Sequence, residues 1–291
     1  MSSFNSASPQ TPGESQSPET PSAPEIFLSP EDIENASAPE DIRVPWGWTE
    51  LWLFLLFGLL SLIVIYTVAS IYLLARYHLT PEQLQNYFST SAPLTIIFET
   101  IWSLLLLGFL ILMIRVYHGQ RFWFSIGWRK LRSAGRPGTA ALLCIAAGAA
   151  LALTVAIASP FVETKTQVPM QELFQSPANV FWLMGYGILF APFWEETLFR
   201  GFIYPVLARK WGVPLGIMIT GLVFGAMHAA QLWGGWGQIA LLTFVGIVLT
   251  WVRARAGTVA ASFLVHITYN SILFGAFFIG THGLHRLPPV H

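Results

Sequence analysis

Glu195 and Glu196 stand side by side in Phe193-Trp194-Glu195-Glu196-Thr197-Leu198-Phe199-Arg200, within a stretch that otherwise reads as membrane-spanning. A carboxylate at the centre of a bilayer costs about 2.5–3.5 kcal/mol on insertion scales. Two in succession, with an arginine four positions after Glu196, need partners and are poor packing material. Two more polar pairs follow: Phe224-x-x-x-His228 and His266-x-x-x-Asn270. A spacing of four puts both members of a pair on one helix face. His266 and Asn270 therefore project together, and Glu196 can reach Arg200 within its own helix. Intramembrane Glu and His pair with one another, can hold a water, and mark catalytic sites or proton relays. Glu195 reads as the functional carboxylate, Glu196–Arg200 as a buried supporting salt bridge, and Phe224 as a packing residue. Glu99, near the outer end of an earlier span, reads as a solvated side chain.

Depth links the pairs. With about 1.5 Å of rise per residue from the helix ends nearest the basic clusters, Glu195 lies roughly 20 Å in, His228 roughly 22 Å, His266 roughly 15 Å and Asn270 roughly 21 Å. The four groups fall in one slab near mid-membrane. Pro192 removes a helical hydrogen bond just before Glu195, and irregular backbone at that depth is tolerated where it lines a polar cavity. Gly212-x-x-x-Gly216 and Gly221-x-x-x-Gly225 permit a close helix neighbour, which would bring His228 toward Glu195.

The elements that must position these residues are legible in the apolar runs. Of 291 residues 54% are hydrophobic and only 10% charged, against about 25% charged in an average soluble domain. Uncharged runs at 51–75 and 137–162, and one at 92–114 broken only by Glu99, are each long enough to cross about 30 Å of hydrocarbon. The sequence predicts an all-α polytopic transmembrane bundle of seven to eight helices. The expected spans are 49–75, 92–116, 138–160, 178 to about 209, 214–230, 238–252, and one long or two short helices over 257–280. The basic loop Arg115, Arg121, Arg129, Lys130, Arg132 and Arg136 contains no acid and is cytoplasmic by the positive-inside rule, which places the N-terminus in the cytoplasm too. Residues 1–44 hold eight of the fifteen acids and are Ser/Pro-rich, so they read as a disordered tail, leaving 45–291 as the transmembrane domain with its catalytic helices in 178–280. Nothing points to nucleic acid. The single cysteine, Cys144, excludes an intrachain disulfide and a Cys-rich zinc site.

The three motifs, in this order on late helices, resemble those of the CAAX prenyl endopeptidase and bacteriocin-processing family of intramembrane proteases. The resemblance covers roughly 178–280. It implies peptide-bond hydrolysis within the membrane, with water activated by Glu195 and His228, the oxyanion stabilised by His266 and Asn270, and Glu196, Arg200 and Phe224 in support. It implies a membrane-associated protein or peptide as substrate, a prenylated chain among the candidates. Such roles agree with general acid–base and oxyanion chemistry. Glu195, His228 and His266 would also be acceptable ligands for a catalytic zinc, although no His-Glu-x-x-His pair is present. Cofactor use is therefore none or zinc. The site is expected to open toward the cytoplasm. The competing classes are a transporter or proton-relay protein, for which inverted repeats would speak and none is visible, and a catalytically silent scaffold of the same fold.

Overall fold

The computed structural model describes residues 39–132, 138–162, 168–174 and 176–287. Every regular element among them is helical. The helices are α1 (Trp48–Tyr77), α2 (Pro81–Thr90), α3 (Ala92–Leu112), α4 (Phe122–Ser125), α5 (Thr139–Val162), α6 (Pro177–Gly185), α7 (Ala191–Glu195), α8 (Tyr204–Met227), α9 (Trp236–Ala256) and α10 (Val259–Gly280). Three π-helical turns, Met113–Tyr117, Tyr186–Phe190 and Glu196–Ile203, extend α3 and join α6, α7 and α8 into one run.

Six of these runs are long and apolar enough to cross a membrane. The fourth, Pro177–Met227, has 51 residues. A straight helix of that length would span about 76 Å, far beyond a bilayer core of about 30 Å. The run folds back at Gly212, whose φ of 82° and ψ of 158° are not helical. A Cβ on Gly216 would stand 2.7 Å from the Cα of Ala208, so the two legs touch across the bend. Pro214 opens the second leg, as its fixed φ favours. Counting both legs gives seven passes, the lower bound of the expected count. The span 257–280 is one helix. The outer surfaces of the spans are largely apolar: Leu59, Val68, Leu142 and Ile157 are all more than half exposed.

The sequence reading has no counterpart for α2, although its signal is present. Thr80 accepts a hydrogen bond from the Gln83 amide and donates its own N–H to the Gln83 side chain, with Pro81 at the first helical position. This is a capping box. The expected disordered tail ends earlier than 44 on the packing side. Ile42 and Val44 are 2% exposed, and Arg253 donates to the Asp41 carbonyl at 2.7 Å and to its carboxylate at 3.2 Å. The remainder of the tail, 1–38, lies outside the described residues, as do Arg136, Glu163 and Lys165.

Long-range bonds sort the loops into two ends. At one end, Arg209 donates to the carbonyls of Val44 and Trp46, Arg253 meets Asp41, and the Val259 amide donates to the Gly127 carbonyl at 2.9 Å. This end carries the basic loop. At the other, Asn179 donates to the Thr90 carbonyl at 3.0 Å and the Met170 amide to the Gln231 carbonyl at 3.0 Å. The described part of the basic loop, residues 115–132, is folded, and in this it differs from a loose connection. Phe122 and Ile126 are buried, Trp128 donates its indole N–H to the Thr197 hydroxyl at 3.0 Å, and its ring meets Phe193 at a tilt and Phe263 edge-on. The segment plugs its end of the bundle one residue away from Glu196.

Candidate active site

Glu195 ends α7, and Glu196 begins the π-helical turn that follows. A π turn carries an extra residue per turn and recurs at functional sites. Here two π turns flank α7, and the backbone is irregular around Pro192, as the sequence predicts. The two carboxylates take different surroundings. The Glu195 side chain is 21% exposed and faces a cavity, while that of Glu196 is fully buried.

Glu196 is held from two sides. Arg200 Nη1 donates to Glu196 Oε1 at 3.0 Å, and the ring nitrogen His266 Nδ1 lies 2.9 Å from the same oxygen. The guanidinium is spent on further partners in α9. Its Nη2 donates to the Gly246 carbonyl at 2.9 Å and its Nε to the Thr250 hydroxyl at 3.2 Å. Its Cζ lies 4.6 Å from the centre of the Phe224 ring. A buried ion pair is tolerable only when its remaining hydrogen-bonding positions are met; α9 supplies partners for the guanidinium, while Glu196 Oε2 has none among the described residues. The buried salt bridge expected between Glu196 and Arg200 is present.

His266 bridges the two carboxylates. Its Nδ1 engages Glu196, and its Nε2 stands 3.8 Å from Glu195 Oε2. Asn270, one turn later on α10, donates its amide to the Gly187 carbonyl at 2.6 Å. That carbonyl belongs to the first π turn of the fourth run. His228 caps α8. Its Nδ1 sits 2.8 Å from the Phe224 carbonyl, so that nitrogen is the donor and Nε2 is left for other partners. Phe224 is more than filler: it is 1% exposed, fixes the His228 tautomer, and packs against both imidazoles at centroid distances of 5.0 and 6.1 Å.

Glu195, His228, His266, Asn270 and Phe224 all line one cavity of about 700 Å³. Glu99 and Tyr186 line it as well, so the reading of Glu99 as a merely solvated side chain misses its place. Gln231 donates to the Glu99 carboxylate at 3.4 Å. A sequence signal existed, because Glu99 was the one charge in its span. The glycine expectation holds in a different form. Cβ atoms on Gly221 and Gly225 would collide with Ile247 and Thr243 of α9. The glycines bring α8 against α9, and an edge-to-face Phe199–Phe224 contact joins α8 to the glutamate-bearing segment.

The sequence pairs a cytoplasmic basic loop with a site opening toward the cytoplasm. In this fold the two are incompatible. The cavity wall above the polar groups is built from Phe88, Thr95, Ser159, Met170, Gln231 and Gln238, all at the end opposite the basic loop, while the Ile126–Trp128 plug closes the basic end.

The Nδ1 atoms of His228 and His266 are oriented as those of metal-bound histidines commonly are, toward a carbonyl and a carboxylate. Even so, among the described residues no three His, Cys, Asp or Glu side chains converge to hold a metal ion. The set Glu195, His228 and His266 does not fit a metal as placed.

Fold and cavity define a polytopic helical membrane protein with a carboxylate–imidazole site enclosed between its late helices. Residues 177–272 match the family model described as type II CAAX prenyl endopeptidase, Rce1-like, and the resemblance carried by the three motifs is shown over that segment. A relative from Escherichia coli, described as an uncharacterized 24.3 kDa protein, is 35% identical over 91 residues, which are 30% of this chain and 41% of the relative. The chain thus matches less than half the length of that relative. No solved structure matches the chain.

Proposed function

We propose that the protein is an intramembrane endopeptidase of the CAAX-protease type, acting on a membrane-associated protein or peptide. The observation that carries this reading is the convergence of Glu195, His228, His266 and Asn270, from three separate passes, on one cavity between helices. Glu195 presents a partly exposed carboxylate to that cavity, and His228 has Nε2 free because Nδ1 is committed to Phe224. A water between them would lose a proton to the carboxylate as its oxygen attacks the scissile carbonyl. The carbonyl oxygen then becomes an oxyanion. Asn270 has a second amide hydrogen beyond the one given to Gly187, and His266, when its Nε2 carries a proton, adds another donor. Donors fixed in a dry site stabilise such charge strongly. The proton held by Glu195 passes to the departing amine as the carbon–nitrogen bond breaks. Glu196 orients His266, and Arg200 holds Glu196. Prenylation of the substrate is implied by the family alone.

The test compares polypeptide ends in membranes from cells carrying the wild-type protein or Glu195→Gln, a variant close in size. New N-termini should appear only with the wild type, while both proteins reach the membrane in equal amounts. Equal processing by a well-folded Glu195→Gln would remove Glu195 as the base. No processing by either protein would favour a relay or scaffold role.

A further inference from the structure

The cavity and the cations lie at opposite ends of the bundle. Arg115, Arg121, Arg129, Lys130, Arg132, Arg209, Lys210, Arg253 and Arg255 flank the passes at the end where the Ile126–Trp128 segment closes the helices. At the other end, among the described residues, stand Arg76, closing α1, and Arg286, beyond α10. The cavity reaches only this second end. Its wall is drawn from the last turns of α5, the first turns of α3 and the 168–174 and 228–238 segments. Lys and Arg near span ends are retained in the cytoplasm during insertion, and an asymmetry this large sets orientation.

We infer that the catalytic cavity opens on the non-cytoplasmic face, and that its substrate is an exported or membrane-anchored polypeptide cleaved in a segment on that side. The statement about substrate rests on the protease reading; the statement about orientation does not. The lining adds a constraint on charge. It holds two carboxylates, Glu99 and Glu195, and no Lys or Arg among the described residues. No cation there would pair with a free C-terminal carboxylate close to the scissile bond. The segment bound is neutral or basic.

Orientation is tested by labelling single cysteines with a charged, membrane-impermeant maleimide in intact cells, on a Cys144→Ala background that leaves no native thiol. Trp233→Cys reports the loop at the cavity end, Ile96→Cys the cavity wall, and Lys130→Cys the basic segment. None of the three belongs to the proposed catalytic set, and labelling after permeabilisation confirms that each protein is present. Trp233→Cys and Ile96→Cys should react from outside, and Lys130→Cys only after permeabilisation. The mirror pattern would overturn the inference. So would reaction at Trp233→Cys with full protection at Ile96→Cys, because the cavity would then be closed to that face. New N-termini that depend on Glu195 should map to non-cytoplasmic segments with neutral or basic flanks. Cytoplasmic or acidic sites would sink the substrate statement, whereas absence of any new ends would sink the protease reading and leave the labelling result standing.

Discussion

Glu196 Oε1 and His266 Nδ1 lie 2.9 Å apart across 70 residues of chain. This bond ties the glutamate-bearing π turn to α10, and it leaves His266 Nε2 pointing toward Glu195. The fully buried glutamate thus sets the ring that the cavity-facing glutamate meets. Glu196→Gln keeps the size of the side chain but weakens its hold on the ring nitrogen. Loss of the partner that orients a metal-bound imidazole costs about 10–100-fold, and the same orienting role is at stake here. The expected outcome is a fall in kcat of that order with KM little changed. An unaltered kcat would show that His266 does not need Glu196.

Arg200 tests the structural half of the same network. Removing one partner of a buried, hydrogen-bonded ion pair costs about 3–5 kcal/mol, since the other charge is left unpaired. Arg200→Ala would leave Glu196 facing an empty guanidinium site and strip partners from Gly246 and Thr250. Thermal unfolding in detergent should fall well below the wild type, together with activity. An Arg200→Ala protein of full stability and no activity would instead move Arg200 into direct contact with the reaction.

The seven passes were legible because an apolar run of about twenty residues has few other solutions, and most expected ends lie within four residues of those observed. The three polar pairs were legible because charge and imidazole are rare at that depth. The direction of the cavity was not. It depends on which loop packs inward, and the packing of Ile126 and Trp128 against Thr197, Phe193 and Phe263 is a tertiary choice invisible in the composition of a basic loop. Nor did spacing show the Glu196–His266 bond. Periodicity reports which face a residue occupies, but not which helix stands opposite. Phe224 looked like filler because its useful atom is its backbone carbonyl, which every residue possesses.

Gly221 measures how tightly α8 must approach α9. A Cβ there would stand 2.7 Å from the backbone nitrogen of Ile247, besides touching its side chain. Backbone cannot swing aside as a flexible side chain can. Overpacking of this kind costs about 1–3 kcal/mol, so Gly221→Ala should lower the unfolding temperature and reduce activity by shifting His228. Gly108→Ala is the control, because nothing lies within 4 Å of its added Cβ, and it should behave as wild type. Equal effects from the two would mean that the α8–α9 contact is looser than drawn.

Metal dependence separates two chemistries that share residues. A catalytic zinc would need Glu195, His228 and His266 at about 2.0–2.2 Å from one point, with a water completing the set. The hydrogen bonds that orient such ligands are in place, at the Phe224 carbonyl for one ring and Glu196 for the other. The convergence is not: His266 Nε2 stands 3.8 Å from Glu195 Oε2, a separation that two ligands of one ion could share, yet no third His, Cys, Asp or Glu among the described residues joins them. A water held by Glu195 and His228 through hydrogen bonds of about 2.6–3.2 Å needs no third ligand. Purified protein should therefore carry well under one equivalent of zinc and keep its activity in a strong chelator. His266→Gln sharpens the comparison, since a metal site would lose its ion along with its activity, whereas a water-based site would lose only part of its oxyanion stabilisation. Zinc bound one to one, leaving with activity and restoring it on return, would require the three helix faces to close further than they do here.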